Sequence, residues 1–294
     1  MPELPEVEVV RAGLAPAVTG AVIEGVEVFD ERSLRRHDGP SEDFVQRLTG
    51  RTLVAASRRG KFLWLPLSDD GGNLPDEALV VHLGMSGQVL LRDRDAHDRL
   101  TRIRLDISHP VHGALRLNFV DQRIFGSMAI SPLAPTVDAP RERVPVQVAH
   151  IARDPLDPLF DDRVFLKRLA IRRTGVKRAL LDQSLISGIG NIYADEALWA
   201  SRIHYDQPTD RLSRAKATLL LAEVRVVLAK ALLEGGTSFD TQYLNVNGES
   251  GYFAHSLKAY GQQGKACPRC SRLIVREQFM NRGSHFCPFC QRVR

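Results

Sequence analysis

The segment Pro2-Glu3-Leu4-Pro5-Glu6 holds the residues best suited to do chemistry. Removal of the initiator methionine, expected before a small residue, leaves proline as the first residue and exposes a secondary amine. An α-amino group titrates near pH ~8, so part of it is an uncharged nucleophile at neutral pH without any burial. A secondary amine that attacks a sugar aldehyde carbon gives an iminium, which stays cationic and serves as an electron sink. Glu3 and Glu6 place two carboxylates beside that amine, Glu6 as a second candidate acid for proton transfer. The same residues also suit the first turn of a helix, with Pro5 pre-set for it and the acids opposing its dipole. The two readings are compatible.

The four cysteines fall in two pairs, Cys267-x2-Cys270 and Cys287-x2-Cys290. Two short knuckles at this spacing converge four thiolates on one tetrahedral ion, most often Zn²⁺, with iron the less common occupant. Such a closed site is structural, so the expected role is one structural zinc that staples a short tail. Between the knuckles runs Met280-Asn281-Arg282-Gly283-Ser284-His285, where a hairpin tip would turn Arg282 outward.

Charge is concentrated rather than spread. The chain carries +5 over 294 residues, with a pI near 9.2. Leu257 to Arg294 alone holds Lys258, Lys265, Arg269, Arg272, Arg276, Arg282, Arg292 and Arg294 against the single acid Glu277. A second basic block, Lys167 to Arg178, contains no acid. Two basic segments on a near-neutral body point to a polyanionic partner. No apolar run reaches membrane-spanning length, and the start is acidic and proline-rich rather than a basic-then-apolar signal. The expected location is the cytosol, without a membrane partner.

These groups need elements to position them. Val7, Val10, Leu14 and Val18 repeat at helical spacing and predict a helix from Pro5 to about Val18. From Ala21 to about Ile130 the pattern is of short β runs: 22–29, 51–57, 62–67, 79–83, 88–91, 102–107 and 114–119, with one helix near 40–48. A β-sandwich with flanking helices is the natural architecture. Prolines 132, 135, 140 and 145 mark a linker. Beyond it the chain reads as helical: Val176 to Gln183, then Asn191 to Trp199, then a long helix capped by Ser213 and stopped by Gly235-Gly236. The class is α+β, divided into a 1–131 sandwich, a 132–150 linker, a 151–256 helical domain and a 257–294 finger. The glycine turn before Asn191 offers a helix N-terminus that could receive a phosphate beside Arg172 and Lys177.

Three further segments complete the set. Arg58-Arg59-Gly60-Lys61 puts a lysine at the entrance of a strand. His82-Leu83-Gly84-Met85-Ser86-Gly87 sets a flexible apolar residue on a glycine-flanked turn, and Asp121-Gln122-Arg123-Ile124-Phe125-Gly126 places Arg and Phe two apart. Together with the amino terminus, Gly188-Ile189-Gly190-Asn191-Ile192-Tyr193-Ala194-Asp195-Glu196 and the four-cysteine element, the chain resembles the bacterial formamidopyrimidine-DNA glycosylases. The agreement spans both ends and the middle.

The resemblance implies a bifunctional repair enzyme of the bacterial cytosol, monomeric, acting on damaged double-stranded DNA. It would excise oxidised purines, chiefly 8-oxoguanine and formamidopyrimidines, and nick the strand by β,δ-elimination. It also implies a β-sandwich joined to a helix-two-turn-helix domain and a zinc finger, with DNA between. On this reading Pro2 is the Schiff-base nucleophile and Glu3 the proton donor and acceptor. Lys61 binds a lesion-flanking phosphate and assists β-elimination, and Arg282 grips phosphate for δ-elimination. Asn191 and Arg172 contact the DNA backbone; Met85, Arg123 and Phe125 form the wedge that fills the hole left by an extruded nucleotide. No redox cofactor is required.

Two stretches depart from the family pattern. Its wedge commonly reads Asp-Pro-Arg-Arg-Phe-Gly, whereas Gln122 and Ile124 stand here in place of the proline and the second arginine. Of a His-x-His element that touches DNA, only His97 is present. The stretch Gly235 to Phe253 resembles a mobile lesion-capping loop. Two rivals remain in view: a superfamily member directed at oxidised pyrimidines, against which Leu4 and the Met85-Arg123-Phe125 set speak, and a zinc-ribbon DNA-binding protein with an idle amino terminus.

Overall fold

The computed structural model describes residues 2–69, 75–237 and 252–293. The chain divides into two compact units, one of Met1–Pro2, Glu6–His150 and Thr237–Gly251, the other of Glu3–Pro5, Ile151–Gly236 and Tyr252–Arg294.

From Glu6 on, α1 (Leu4–Val18) belongs to the first unit, and its Val7, Val10, Leu14 and Val18 are buried in that unit's core. Strands β1 (Val22–Val28), β2 (Thr52–Leu53), β3 (Ser57–Arg59), β4 (Phe62–Ser68), β5 (Glu77–His82), β6 (Gly87–Arg92), β7 (Thr101–His109), β8 (Gly113–Asp121), β9 (Ser127–Pro135) and β10 (Arg143–Pro145) join α2 (Ser41–Leu48). The strands make one ten-stranded antiparallel sheet in the order β10-β9-β5-β4-β2-β1-β7-β8-β6, with β3 paired to β4. The expected sandwich is built from this one sheet, whose two halves share a core. Ile23, Ile103, Leu105, Ile107 and Phe119 from one half share a core with Leu63, Leu65, Leu67, Leu79, Val81 and Ile130 from the other. Alternating burial along β7 is the signature of such a half-covered strand.

The proline-marked stretch expected to be a linker instead carries the end of β9 and all of β10, paired through Arg143↔Pro135, Val144↔Ala134 and Pro145↔Leu133. Proline is tolerated there because β10 ends the sheet and leaves one side of its backbone unpaired.

The second unit contains α3 (Asp162–Ala170), α4 (Val176–Leu180), α5 (Asn191–Ser201) and α6 (Arg214–Leu233), followed by the hairpin β11 (Val275–Phe279) and β12 (Arg282–Phe286). Asp161 caps α3 by accepting from the amides of Arg163 and Val164, and the Ser213 hydroxyl caps α6. On α6, Ala217, Leu220, Leu221, Val224, Leu228 and Ala231 are buried. Between α4 and α5 the chain folds around Gln183, whose side chain donates to the carbonyls of Leu181 and Ile189 and accepts from the amide of Gly188. That side chain holds the two turns that replace a continuous helix.

Candidate active site

Glu3 is 1% exposed, and its carboxylate is seated on the start of α5. Oε2 accepts from the amide of Gly190 at 2.5 Å and of Tyr193 at 3.4 Å, and Oε1 from that of Ile192 at 2.8 Å. Free amides at a helix N-terminus favour an anion. The next peptide, Leu4, donates to the carbonyl of Gly188 at 2.9 Å. The glycines are required by volume. A Cβ on Gly190 would lie 2.4 Å from the Glu3 carboxyl carbon, and one on Gly188, at φ +88°, would lie 2.6 Å from Leu4 Cδ1. This corrects the expectation that the turn receives a phosphate: its amides are already taken by Glu3. Pro2, directly before this anchored residue, is buried.

Glu6 is also buried. Its Oε1 accepts from the amide of Thr237 at 2.8 Å and from its hydroxyl at 2.9 Å. Thr237 is the last described residue before 238–251, so most of the expected capping loop, Gly235 to Phe253, lies outside the described residues. Its base is closed, since Tyr252 donates to the Glu234 carbonyl and Phe253 to that of Gly236.

Lys61 lies in the two-residue turn of the β3–β4 hairpin, after Gly60 at φ +56° and inside the Arg59↔Phe62 pair. Arg58 braces this hairpin, donating to the Gly60 carbonyl at 3.0 Å and to Glu8 on α1 at 2.9 Å. Burial pushes the Glu8 carboxyl up, but Arg11 and Arg58 outweigh it and hold the group below its ordinary range. Met85 and Phe125 are exposed on neighbouring turns, with the Arg123 guanidinium 4.9 Å from the Phe125 ring centroid. His97 is exposed in the connection between β6 and β7.

Of the basic block Lys167 to Arg178, expected to face a polyanion, Lys167, Arg168, Arg173 and Arg178 are exposed and Lys177 alone is turned inside. Lys177 is fully buried and pairs with Asp195 at 2.6 Å, because the first turn of α4 aims it inward. Arg172 pairs with Asp182 at 2.5 Å, and Arg168 donates to the Ser184 carbonyl. Burial pushes the Lys177 ammonium down, Asp195 and Glu3 oppose that, and Arg282 adds to it.

Sequence reasoning assigned no role to Asp195 or Glu196, although both lie in the segment that carried the resemblance. Asp195 accepts from the Ser284 hydroxyl at 3.1 Å and the His285 amide at 2.9 Å. Lys177 also donates to the Gly283 carbonyl at 3.2 Å, as does the Asn191 side chain. Glu196, pushed up by burial, accepts from the amides of Lys258, Ala259 and Tyr260. The Lys177, Asp195 and Asn191 contacts bind α4 and α5 to β12, at whose first position stands Arg282, after the turn Met280-Asn281, while Glu196 ties α5 to Lys258–Tyr260. The signal available was a pair of acids on consecutive positions in the second turn of a helix, which carries no address for partners 62 to 90 residues away.

The four cysteine sulfurs lie within 4.8 Å of one another, with Cys270 and Cys287 at 3.5 Å. A tetrahedral zinc with Zn–S near 2.3 Å needs sulfurs about 3.8 Å apart, so the thiols fit that ion. The amide of Cys290 points at Cys287 Sγ, as thiolates in such knuckles require.

Three family descriptions match the chain: the formamidopyrimidine-DNA glycosylase N-terminal domain over residues 1–128, the formamidopyrimidine-DNA glycosylase H2TH domain over 151–242, and the zinc finger found in FPG and IleRS over 264–293. The formamidopyrimidine-DNA glycosylase of Leifsonia xyli is 64% identical over the full length of both chains, and that of a Nocardioides strain is 55% identical over 99% of this chain and 94% of its own. Among solved structures, a Lactococcus lactis FPG mutant in complex with Fapy-dG-containing DNA superposes with TM-score 0.83 at 30% identity, covering 99% of each chain. The Lactococcus lactis Fpg complex with abasic-site DNA gives 0.82 at 30%, also over 99% of each. The fold and the site thus define a DNA glycosylase of base excision repair. The chain belongs to the formamidopyrimidine-DNA glycosylase family.

Proposed function

We propose that this chain excises oxidised purines from damaged double-stranded DNA and cuts the strand at the resulting abasic site, acting as a monomer in the bacterial cytosol. The observation that carries the mechanism is the seating of Glu3 on the α5 amides, which fixes the residue joined to Pro2 to within hydrogen-bond tolerance. With Met1 removed, the Pro2 nitrogen attacks C1′ of the extruded nucleotide, the bond from C1′ to the base breaks, and the sugar ring opens to an iminium. Having no second N–H to lose, a proline-derived conjugate stays charged and acidifies the C2′ proton. Loss of that proton expels the 3′ phosphate, and a second elimination expels the 5′ phosphate. Glu3 supplies and takes up protons beside the nitrogen. Lys61 and Arg282 place cations at the two departing phosphates.

Extrusion costs a few kcal/mol of stacking, which Met85, Arg123 and Phe125 offset by entering the gap. Asn191, Arg172 and His97 face the DNA backbone in this reading, and Arg172 exchanges its Asp182 partner for phosphate. Cys267, Cys270, Cys287 and Cys290 would hold one zinc, which fixes the finger that presents Arg282 and takes no part in the bond changes. The functional division follows a β-rich segment that takes in the 132–150 stretch, a 151–256 helical segment and a 257–294 finger. Oxidised pyrimidines form a second substrate class worth assaying, because a Lactococcus lactis relative is bound to DNA containing one.

Borohydride reduction during turnover tests the proposal. A covalent DNA adduct mapped by mass spectrometry to Pro2, weakened in Pro2→Gly and absent when Met1 is retained, is the expected result. DNA binding without any adduct would leave only a binding module.

A further inference from the structure

The loop between β8 and β9, Asp121 to Gly126, lacks the proline that commonly stiffens it and carries a β-branched residue in a conformation such residues avoid. Ile124 has φ +55°, a left-handed backbone that costs an L-residue about 1–2 kcal/mol. A loop under that load relaxes unless its surroundings over-determine it. The surroundings do so from three sides. Inside, the fully buried Asp121 carboxylate accepts from the Gly126 amide at 2.6 Å, the Arg123 amide at 3.1 Å and the Ser86 hydroxyl at 2.5 Å. Beneath, Gly84 at φ +65° touches the loop backbone directly: a Cβ there would lie 2.3 Å from the Phe125 carbonyl carbon. Outside, the Arg35 guanidinium donates to three successive carbonyls, those of Ile124 at 3.1 Å, Phe125, and Gly126 at 2.6 Å.

We infer that Arg35 is a positioning residue for the DNA wedge. Its planar fork spans carbonyls 124 to 126 and holds Arg123 and Phe125 beside Met85 in the register needed to enter the duplex, replacing the stiffness the missing proline would give. The inference rests on the wedge reading above. A guanidinium can bridge neighbouring acceptors through several fixed N–H groups, whereas an ammonium is a single point charge. Charge alone therefore does not substitute, and Arg35→Lys fails along with Arg35→Gln. Arg35 itself is exposed, so neither change opens a cavity.

The test is stopped-flow fluorescence of 2-aminopurine placed opposite the lesion, together with single-turnover excision and borohydride trapping on a pre-formed abasic site. Both Arg35 variants should slow the fluorescence rise and lesion excision by about tenfold, equivalent to ~1.4 kcal/mol, while trapping on the abasic site and the melting temperature stay near those of the parent. Ile124→Gly in the Arg35→Gln background should recover part of the loss, since glycine adopts this φ freely. A protein with a mere surface arginine at 35 would show neither the split between lesion and abasic substrates nor the recovery. Parental rates in Arg35→Lys beside reduced rates in Phe125→Ala would overturn the clamp alone. Parental rates in both would remove the wedge reading and the clamp with it.

Discussion

Glycine at 190 is dictated by its neighbour, and the consequence is measurable. An alanine methyl would fall 2.5 Å from Glu3 Oε1, so the carboxylate must leave the α5 amides and draw Pro2 with it. Misplacement by about 1 Å can cost a hundredfold in rate. Gly190→Ala should therefore slow borohydride trapping by about ten- to a hundredfold, with a stability loss of about 1–3 kcal/mol by overpacking. An unaffected trapping rate would mean that Glu3 does not set the position of the amine. A second residue-scale prediction concerns His82, at the foot of the Met85 turn. Its Nδ1 accepts from the Gly84 amide at 3.1 Å, which requires the neutral ring. Burial first, then Arg36, Arg35 and Lys61, push the imidazole from 6.5 down to about 4. The unfolded chain takes up this proton near pH 6.5 and the folded chain only near 4, so the contribution is complete above 6.5 and is lost as pH falls toward 4. The loss amounts to at most about 3 kcal/mol. NMR titration of the ring checks this, and an ordinary midpoint near 6.5 would contradict it. The four-cysteine cluster was legible because its spacing is local to a motif. Arg35 and Asp195 were not, because each acts on backbone about 90 residues away.

At the scale of elements, β12 is held to the helices by a buried ion pair beside the packing of Phe286 on His204 and Tyr205. Lys177 and Asp195 have side chains 0% and 1% exposed, and between them they engage Gly283, Ser284 and His285, the residues directly after Arg282. Removing one charge strands the other, at a cost of about 3–5 kcal/mol. Asp195→Asn should thus lower the thermal stability of the helical unit and weaken the elimination step, read as accumulation of uncut abasic product. Replacing the pair by Lys177→Met with Asp195→Leu should restore much of the stability and little of the strand cutting, because a desolvated pair adds less to stability than to register. If both variants cut DNA normally, the pair does not orient Arg282. The helices themselves were readable from apolar spacing: α1, α2, α5 and α6 fall where periodicity put them, within a few residues. Strands β9 and β10 were hidden by Pro132, Pro135 and Pro145, which punctuate a sequence but are tolerated at the edge of a sheet. The start of α5 was misread for a different reason. Its amides do bind an anion, but that anion is the chain's own Glu3.

Across the whole molecule, each unit has its own apolar core, while the finger within the second unit has little. The first has a continuous core from α1, α2 and both halves of its sheet. The finger has only a small one: Cys267, Ile274 and Cys287, with Trp199, Cys270 and Cys290 packed around them, and Phe279 and Phe286 on Tyr205. So small an apolar cluster does not hold a hairpin against chain entropy, and the metal must supply the difference. The surface of this segment is also where charge collects, since Arg269 and Arg272 stack on Trp199 and Phe289 with their cations partly in solvent. Zinc removal should accordingly act on one part and spare the other. Chelation, or Cys287→Ser, should abolish the finger's contribution to DNA affinity and flatten the dependence of log Kd on log salt concentration, because the slope falls by about 0.9 for every phosphate the protein no longer neutralises. The melting transition of the β-rich unit should stay in place, while Lys177 and Asp195, deprived of Gly283 and Ser284, destabilise the helices around them. Calorimetry of the metal-loaded and metal-free protein separates these effects. One shared transition, displaced as a whole by chelation, would show that the finger's fold and the sheet's fold are thermodynamically one, and that zinc supports the β-rich unit as well as the grip on phosphate.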